Sequence, residues 1–216
     1  MEKKTVLFLH GFASSGQSEK ALYFRKKCAA VSHVEFHAID FNPTLRDFAT
    51  MTTTGLIDRL RQYVLDHSLE DIHLIASSYG GLIALRYAHR FGGVDKMLLL
   101  APGLAWLSGG LSQEALDQWK EAGTAPVYHE AFQVEIPVNY DLQVDGLRYL
   151  ERVPPPAPMI IIHGTSDTTV PTDHSREYAA DHPDRVDLIE VQAGHNLNDH
   201  LDLIWGHAQA FLLGIE

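Results

Sequence analysis

A single cysteine, Cys28, stands among 216 residues. It cannot close an intrachain disulfide, so the fold draws nothing from oxidation, which suits a cytoplasmic protein. It keeps helical step with Ala21, Phe24 and Val31, the pattern of core packing rather than of chemistry. Long apolar runs are missing as well, and no stretch approaches the ~18 apolar residues of a membrane span. Lys3-Lys4 followed by Val6–Leu9 imitates the opening of a signal peptide, yet the run stops at His10-Gly11, short of the ~7–15 residues a signal needs. The chain is therefore expected to be soluble and unprocessed. Positive charge is scarce: 17 Lys and Arg against 28 Asp and Glu leave a formal charge of -11. Such a protein is repelled at long range by nucleic acid and by anionic membrane, and neither is expected as a partner. Internal repeats and low-complexity tracts are absent. The 13 histidines include a C-terminal group, His195, His200 and His207, but it lacks the i, i+4 pair of a zinc helix motif, and no metal is expected.

What remains is an ordinary globular composition, 45% hydrophobic and 21% charged. The length suits one well-buried domain, residues 1–216. Six short apolar, β-branched or aromatic runs recur: Thr5–His10, Val34–Asp40, Ile72–Ser77, Lys96–Ala101, Met159–His163 and Asp187–Val191. Runs apolar along most of their length suit strands buried on both faces of a parallel sheet. Helical periodicity fills the gaps. One helix follows Ser18, a plausible N-cap, and runs to about Val31; a second begins after Thr52–Thr54 and aligns Leu56, Leu60, Tyr63 and Val64. A third carries the slim stripe Gly80, Ala84 and Ala88; a short one lies near Asp173–His182, and a last one spans Leu197 to Phe211. This alternation predicts an α/β protein with a doubly wound, mostly parallel sheet of about six strands.

One connection breaks the rhythm. More than fifty residues separate Ala101 from Met159, and they hold Trp106, Trp119, Tyr128, Phe132 and Tyr140 before ending in Pro154-Pro155-Pro156-Ala157-Pro158. An insert of that length in a compact domain is normally functional or a small subdomain. Residues 102–155 are read as a small helical cap that walls a substrate pocket.

The stretch Leu74-Ile75-Ala76-Ser77-Ser78-Tyr79-Gly80-Gly81-Leu82 reads as a strand, a tight turn and a helix at once. A serine exposed on such a turn needs small residues two before and two after it, because strand and helix pass close together. Ala76 and Gly80 bracket Ser78 in this way, whereas Ile75 and Tyr79 around Ser77 are too large. Ser78 is the nucleophile candidate. A neutral serine needs a base within hydrogen-bond reach, itself oriented by an acid. Both belong at the carboxyl ends of strands in an open α/β sheet. Two late strands end suitably: His163-Gly164-Thr165-Ser166-Asp167-Thr168-Thr169-Val170-Pro171 offers Asp167, and Gln192-Ala193-Gly194-His195-Asn196 offers His195. His163 also lies at a strand end, but Asp167 is nearer the loop apex. Asp173 and Asp199 read as a helix-start charge and a solvated face.

Ala76-Ser77-Ser78-Tyr79-Gly80, the Asp-x-x-Val-Pro loop and the Gly-His loop, in the order Ser78, Asp167, His195, resemble the nucleophile elbow, acid and base of the α/β-hydrolase family. His10-Gly11-Phe12 resembles that family's oxyanion loop. The resemblance implies oxyanion donors at the backbone N–H groups of Phe12 and Tyr79, with His10 holding the loop in shape. It covers essentially the whole chain and opens at what looks like the family's third strand, which implies a reduced core lacking the antiparallel edge pair. Ala76 stands where Gly is usual, and no glycine-rich loop follows Asp40. A serine nucleophile separates the chain from branches that use Asp. The short cap resembles small serine carboxylesterases, with acyl-thioesterase relatives close by. The implied activity is cofactor-free hydrolysis of a small-molecule carboxylic ester through an acyl-enzyme. The same machinery on a thioester, amide or carbon–carbon bond, and a small-molecule receptor on this fold, are the alternatives.

Overall fold

The computed structural model describes residues 3–106 and 110–215. Residues 107–109, within the expected cap, lie outside the described set. Six strands form one sheet: β1 (Lys4–Leu9), β2 (Val34–Ile39), β3 (Ile72–Ser77), β4 (Val94–Leu100), β7 (Met159–Gly164) and β8 (Val186–Val191). They lie in the order β2-β1-β3-β4-β7-β8, and all five pairings are parallel. These are the six runs picked out above, displaced by a residue or two at their ends.

The apolar runs in the inner strands β1, β4 and β7 have a direct cause. Leu7, Leu9, Met97, Leu99 and Ile161 pack on one face, and Val6, Phe8, Leu98, Leu100 and Ile162 on the other. Side chains alternate across a strand, so a sheet covered on both faces needs apolar residues at every step. Helices α1 (Glu19–Ala29) and α8 (Leu201–Ala208) cover the second face. Helices α3 (Thr53–Asp66), α4 (Tyr79–Phe91) and α7 (Asp173–Asp181) cover the first, together with the short α2 (Leu45–Ala49). Ser18 caps α1 through Ala21 N, and Thr52 caps α3 through Gly55 N. Cys28 sits in the α1 face of the core, where burial pushes its thiol up to about 12. The helix expected over 197–211 is three segments: a 3-10 turn (Asn198–His200), α8, and a π turn (Gln209–Leu213). Leu197, at φ 58°, sets off the first of them.

After β1 the chain moves to one side, to β2, and then crosses back to place β3 on the other side of β1. The carboxyl ends of β1 and β3 therefore flank the point where winding reverses, which opens a crevice. The loops at 10–12 and at 78 leave from those two ends.

The insert adds to the expected helices α5 (Gln113–Ala122) and α6 (Asp141–Gly146) an antiparallel pair, β5 (Thr124–His129) and β6 (Val134–Asn139). It is held together internally and tied to α3. Trp119 Nε1 donates to the Val138 carbonyl at 2.8 Å within the insert. The N–H and hydroxyl of Thr54, in the first turn of α3, each donate to Asp145 at 2.7 Å. Trp106 Nε1 donates to Gln143 Oε1 at 2.9 Å.

Candidate active site

Ser78 is the single residue between β3 and α4. Its backbone lies at φ 53°, ψ -120°, a region strained for any residue with a side chain. The surroundings over-determine it: its N–H donates to the Leu100 carbonyl, and its carbonyl accepts from Gly81 and Gly103. A Cβ on Gly80 would lie 2.6 Å from the backbone oxygens of both Leu9 and His10. Gly80 is thus what lets α4 start directly against the end of β1. Ala76, two residues before Ser78, is fully buried.

The serine hydroxyl meets a line of hydrogen bonds. His195 Nε2 lies 2.9 Å from Ser78 Oγ, and His195 Nδ1 lies 2.7 Å from Asp167 Oδ2. A carboxylate only accepts, so Nδ1 carries a proton and Nε2 of the neutral ring is free to accept from Ser78. Asp167 Oδ1 accepts from the N–H groups of Thr169 and Val170, both at 2.9 Å. Burial alone would raise the pKa of Asp167, but the hydrogen bonds from His195, Val170 and Thr169 prevail and hold its carboxyl below the usual range.

Packing between two loops makes this meeting possible. Gly164, the last residue of β7, lies so close to the loop after β8 that a Cβ there would be 2.3 Å from the Ala193 carbonyl oxygen. Ser166 N–H donates to that same oxygen at 3.0 Å. The loops carrying Asp167 and His195 are stitched together before either side chain is considered. Sequence reasoning missed Gly164, though a glycine at the end of a buried strand is a signal of close backbone approach. It also noted His163 without giving it a task. In the fold, His163 Nε2 lies 3.0 Å from Asp167 Oδ2.

The loop after β1 crosses over Ser78: a Cβ on Gly11 would lie 3.2 Å from Ser78 Cβ. His10, fully inside, joins Gly11 O at 2.8 Å and the N–H of Phe41 at 3.1 Å, and so ties the loop to the end of β2. The rings of Phe12 and Tyr79 meet edge-on at 6.1 Å, and both line the cavity that contains Ser78. Tyr79 is the first residue of α4, where backbone N–H groups have no partner inside the helix. Its hydroxyl lies 2.8 Å from Thr53 Oγ1.

A cavity of about 380 Å³ contains Ser78 and is walled by Phe12, Tyr79, Trp106, Trp119, Val127 and Leu142. Among the described residues, no charged side chain lines it. Thr169 and Val170, from the loop that carries Asp167, also line it. A larger polar groove of about 760 Å³ lies beyond Gly11; it reaches Ser77, Lys20 and Asn196 but not Ser78. Of the acids set aside above, Asp173 opens α7 and pairs with Arg176 at 2.7 Å, and Asp199 is exposed. Among the described residues, no group of three or more His, Cys, Asp or Glu is placed to hold a metal ion, and no helix is long and apolar enough to cross a membrane.

The parallel sheet, the elbow after its third strand and the helices on both faces define the α/β-hydrolase fold. A protein from Agrobacterium vitis S4 superposes with a TM-score of 0.83 at 22% identity, over 97% of this chain and 88% of that one. Mouse alpha/beta hydrolase domain-containing protein 10 gives 0.77 at 19% identity, over 99% and 92%. Est1E of Butyrivibrio proteoclasticus with ferulic acid bound gives 0.79 at 16% identity, over 99% and 89%. In sequence, 107 residues are 33% identical to "Probable lysophospholipase BODYGUARD 3" of Arabidopsis thaliana; the match takes in 46% of this chain and about a fifth (21%) of that protein. Residues 5–212 match the family described as "Uncharacterised protein family (UPF0227)", and the chain belongs to that family.

Proposed function

We propose that the protein is a serine hydrolase that cleaves carboxylic esters. The observation that carries this reading is the unbroken line from Ser78 Oγ through His195 to Asp167, at 2.9 and 2.7 Å, on a strained turn beside an apolar cavity. Ser78 Oγ attacks the acyl carbon while His195 Nε2 takes its proton. The carbonyl oxygen gathers negative charge between the backbone N–H groups of Phe12 and Tyr79. The start of α4 favours that charge through its dipole. Collapse of the tetrahedral adduct breaks the bond to the alcohol oxygen, which leaves with the proton held on Nε2. Water then repeats the sequence on the acyl-enzyme and regenerates Ser78. Asp167 keeps His195 in the tautomer that accepts from Ser78 and stabilises the imidazolium formed in each half-reaction. The uncharged lining of the cavity favours a small, neutral, largely apolar acyl group.

Labelling and turnover test the reading. A fluorophosphonate probe should label Ser78, and Ser78→Ala should abolish turnover of an activated short-chain ester with its circular dichroism unchanged. Ser77→Ala should stay active. Unaltered turnover in Ser78→Ala would end the assignment, and a protein that binds ester but is never acylated would be a receptor. Matched ester, thioester and anilide substrates rank the bond cleaved.

A further inference from the structure

His163, the penultimate residue of β7, is fully buried. Neither its side chain nor that of Asp167 has any exposed surface. Its Nε2 lies 3.0 Å from Asp167 Oδ2 and 2.9 Å from the Val170 carbonyl oxygen. Both are acceptors only, so Nε2 carries a proton and donates to the pair. Nδ1 lies 2.8 Å from Ser175 Oγ, and Ser175 is itself fully buried in α7. Burial holds the pKa of His163 below that of an ordinary histidine, against the opposing pull of the Val170 carbonyl and of Asp167. The ring is therefore neutral, and Nδ1 accepts the Ser175 hydroxyl proton. The imidazole is pinned at both nitrogens.

An ionised carboxylate offers about four lone-pair sites. Thr169 and Val170 N–H fill the two on Oδ1 of Asp167, and His195 and His163 fill the two on Oδ2. The backbone donors locate Oδ1, so Oδ2 is located by the two rings alone. His195 has to take up and release a proton in each half-reaction, and its side chain is 26% exposed. His163 changes nothing during turnover. It is the constant donor on the oxygen that matters.

We propose that His163 is a positioning residue for the hydrolysis: through Nε2–H it fixes Asp167 Oδ2, and it draws off part of that oxygen's charge, which limits how tightly His195 holds its proton. This rests on the reading of Ser78, His195 and Asp167 given above. Among the described residues, the titratable groups facing Asp167 are His163 and His195, and those facing His163 are Asp167 and His195. A change in pH profile on altering position 163 therefore reports on this cluster.

His163→Phe keeps a ring but removes the donor, and His163→Gln restores an N–H at about the reach of Nε2. In His163→Phe we expect kcat to fall by about 10- to 100-fold with KM near wild type. The acid limb of kcat/KM should move to higher pH by about half a unit. His163→Gln should recover most of both. A purely structural role would lower thermal stability and leave the limb in place. A folded His163→Phe protein with the wild-type profile would overturn the proposal. In the intact protein, ring nitrogen NMR should find His163 as the Nε2–H tautomer, with no titration near the ~6.5 of a free histidine. The Nδ1–H tautomer, or titration there, would overturn it without recourse to any variant. Wild-type protein left unlabelled at Ser78 by fluorophosphonate overturns this proposal and the hydrolase reading together. Labelled wild type with an unmoved His163→Phe profile overturns this proposal alone.

Discussion

Asp167→Asn is the sharpest perturbation of the proposed relay, because the fold dictates how the new amide must sit. Its carbonyl oxygen is drawn to the position of Oδ1, where two backbone N–H groups wait at 2.9 Å. The reverse orientation would set the amide N–H groups against both of those donors, and each unmet buried donor costs about 1–3 kcal/mol. The NH₂ group therefore replaces Oδ2, the atom 2.7 Å from His195 Nδ1 and 3.0 Å from His163 Nε2, whose N–H keeps its other acceptor, the Val170 carbonyl oxygen at 2.9 Å. Facing a donor, Nδ1 turns acceptor and the ring carries its proton on Nε2, the atom 2.9 Å from Ser78 Oγ. A protonated Nε2 cannot accept the serine proton. The loss expected for a wrong tautomer is about 10⁴-fold in kcat, or about 5.5 kcal/mol of transition-state stabilisation. KM should change little, since Asp167 does not line the cavity. Both backbone caps survive, so the melting temperature should stay within about 5 °C of wild type. The assay is steady-state hydrolysis of an activated short-chain ester, normalised to sites labelled by fluorophosphonate in the wild type. A folded Asp167→Asn protein with kcat within tenfold of wild type would refute the tautomer argument and remove Asp167 from the mechanism.

Two further outcomes follow from the packing. Gly164→Ala would drive a Cβ into the carbonyl oxygens of Ala193 and Gly194, at 2.3 and 2.4 Å, and backbone cannot swing aside. A base loop displaced by about 1 Å should lose about 100-fold in kcat/KM, with about 1–3 kcal/mol of stability; unchanged kinetics would show that the stitching of the two loops is incidental. His73, on β3, is buried with Nδ1 unpartnered, and burial lowers its pKa from 6.5 to about 4. Between those values the unfolded chain binds a proton that the folded chain refuses. Stability is then intact above about pH 6.5 and falls by up to ~1.4 kcal/mol per unit as pH drops toward 4. Urea unfolding of His73→Leu should show a shallower pH dependence than wild type over that window, and parallel curves would contradict it.

Much of the fold is legible in the chain because its determinants are local. Strands covered on both faces announce themselves as unbroken apolar runs. The elbow requires small residues at fixed offsets, and Ala76 and Gly80 occupy them. The pair β5–β6 escaped notice for the opposite reason. Its strands are half-exposed, and Pro126 and Pro137 stand directly across from each other. Proline argues against an interior strand, but each strand of a two-stranded pair is an edge, where a missing N–H is harmless. Helix α2 is equally hard to read from the chain: it has five residues, too few to display a period, although Thr44 and Asp47 form a capping box.

The sequence by itself determined the sheet-and-helix alternation, the turn that exposes Ser78, and the order in which its prospective acid and base arrive. The first two depend on residues within a few positions of one another, and the third is the order of three such local stretches along the chain. Only the tertiary structure decided that Oδ2 of Asp167 has two imidazoles on it, and that Trp106 and Trp119 of the insert line the cavity beside Ser78. Those facts depend on how β7, β8, α7 and the insert come together in space. Contacts between segments distant along the chain leave no periodic trace in it.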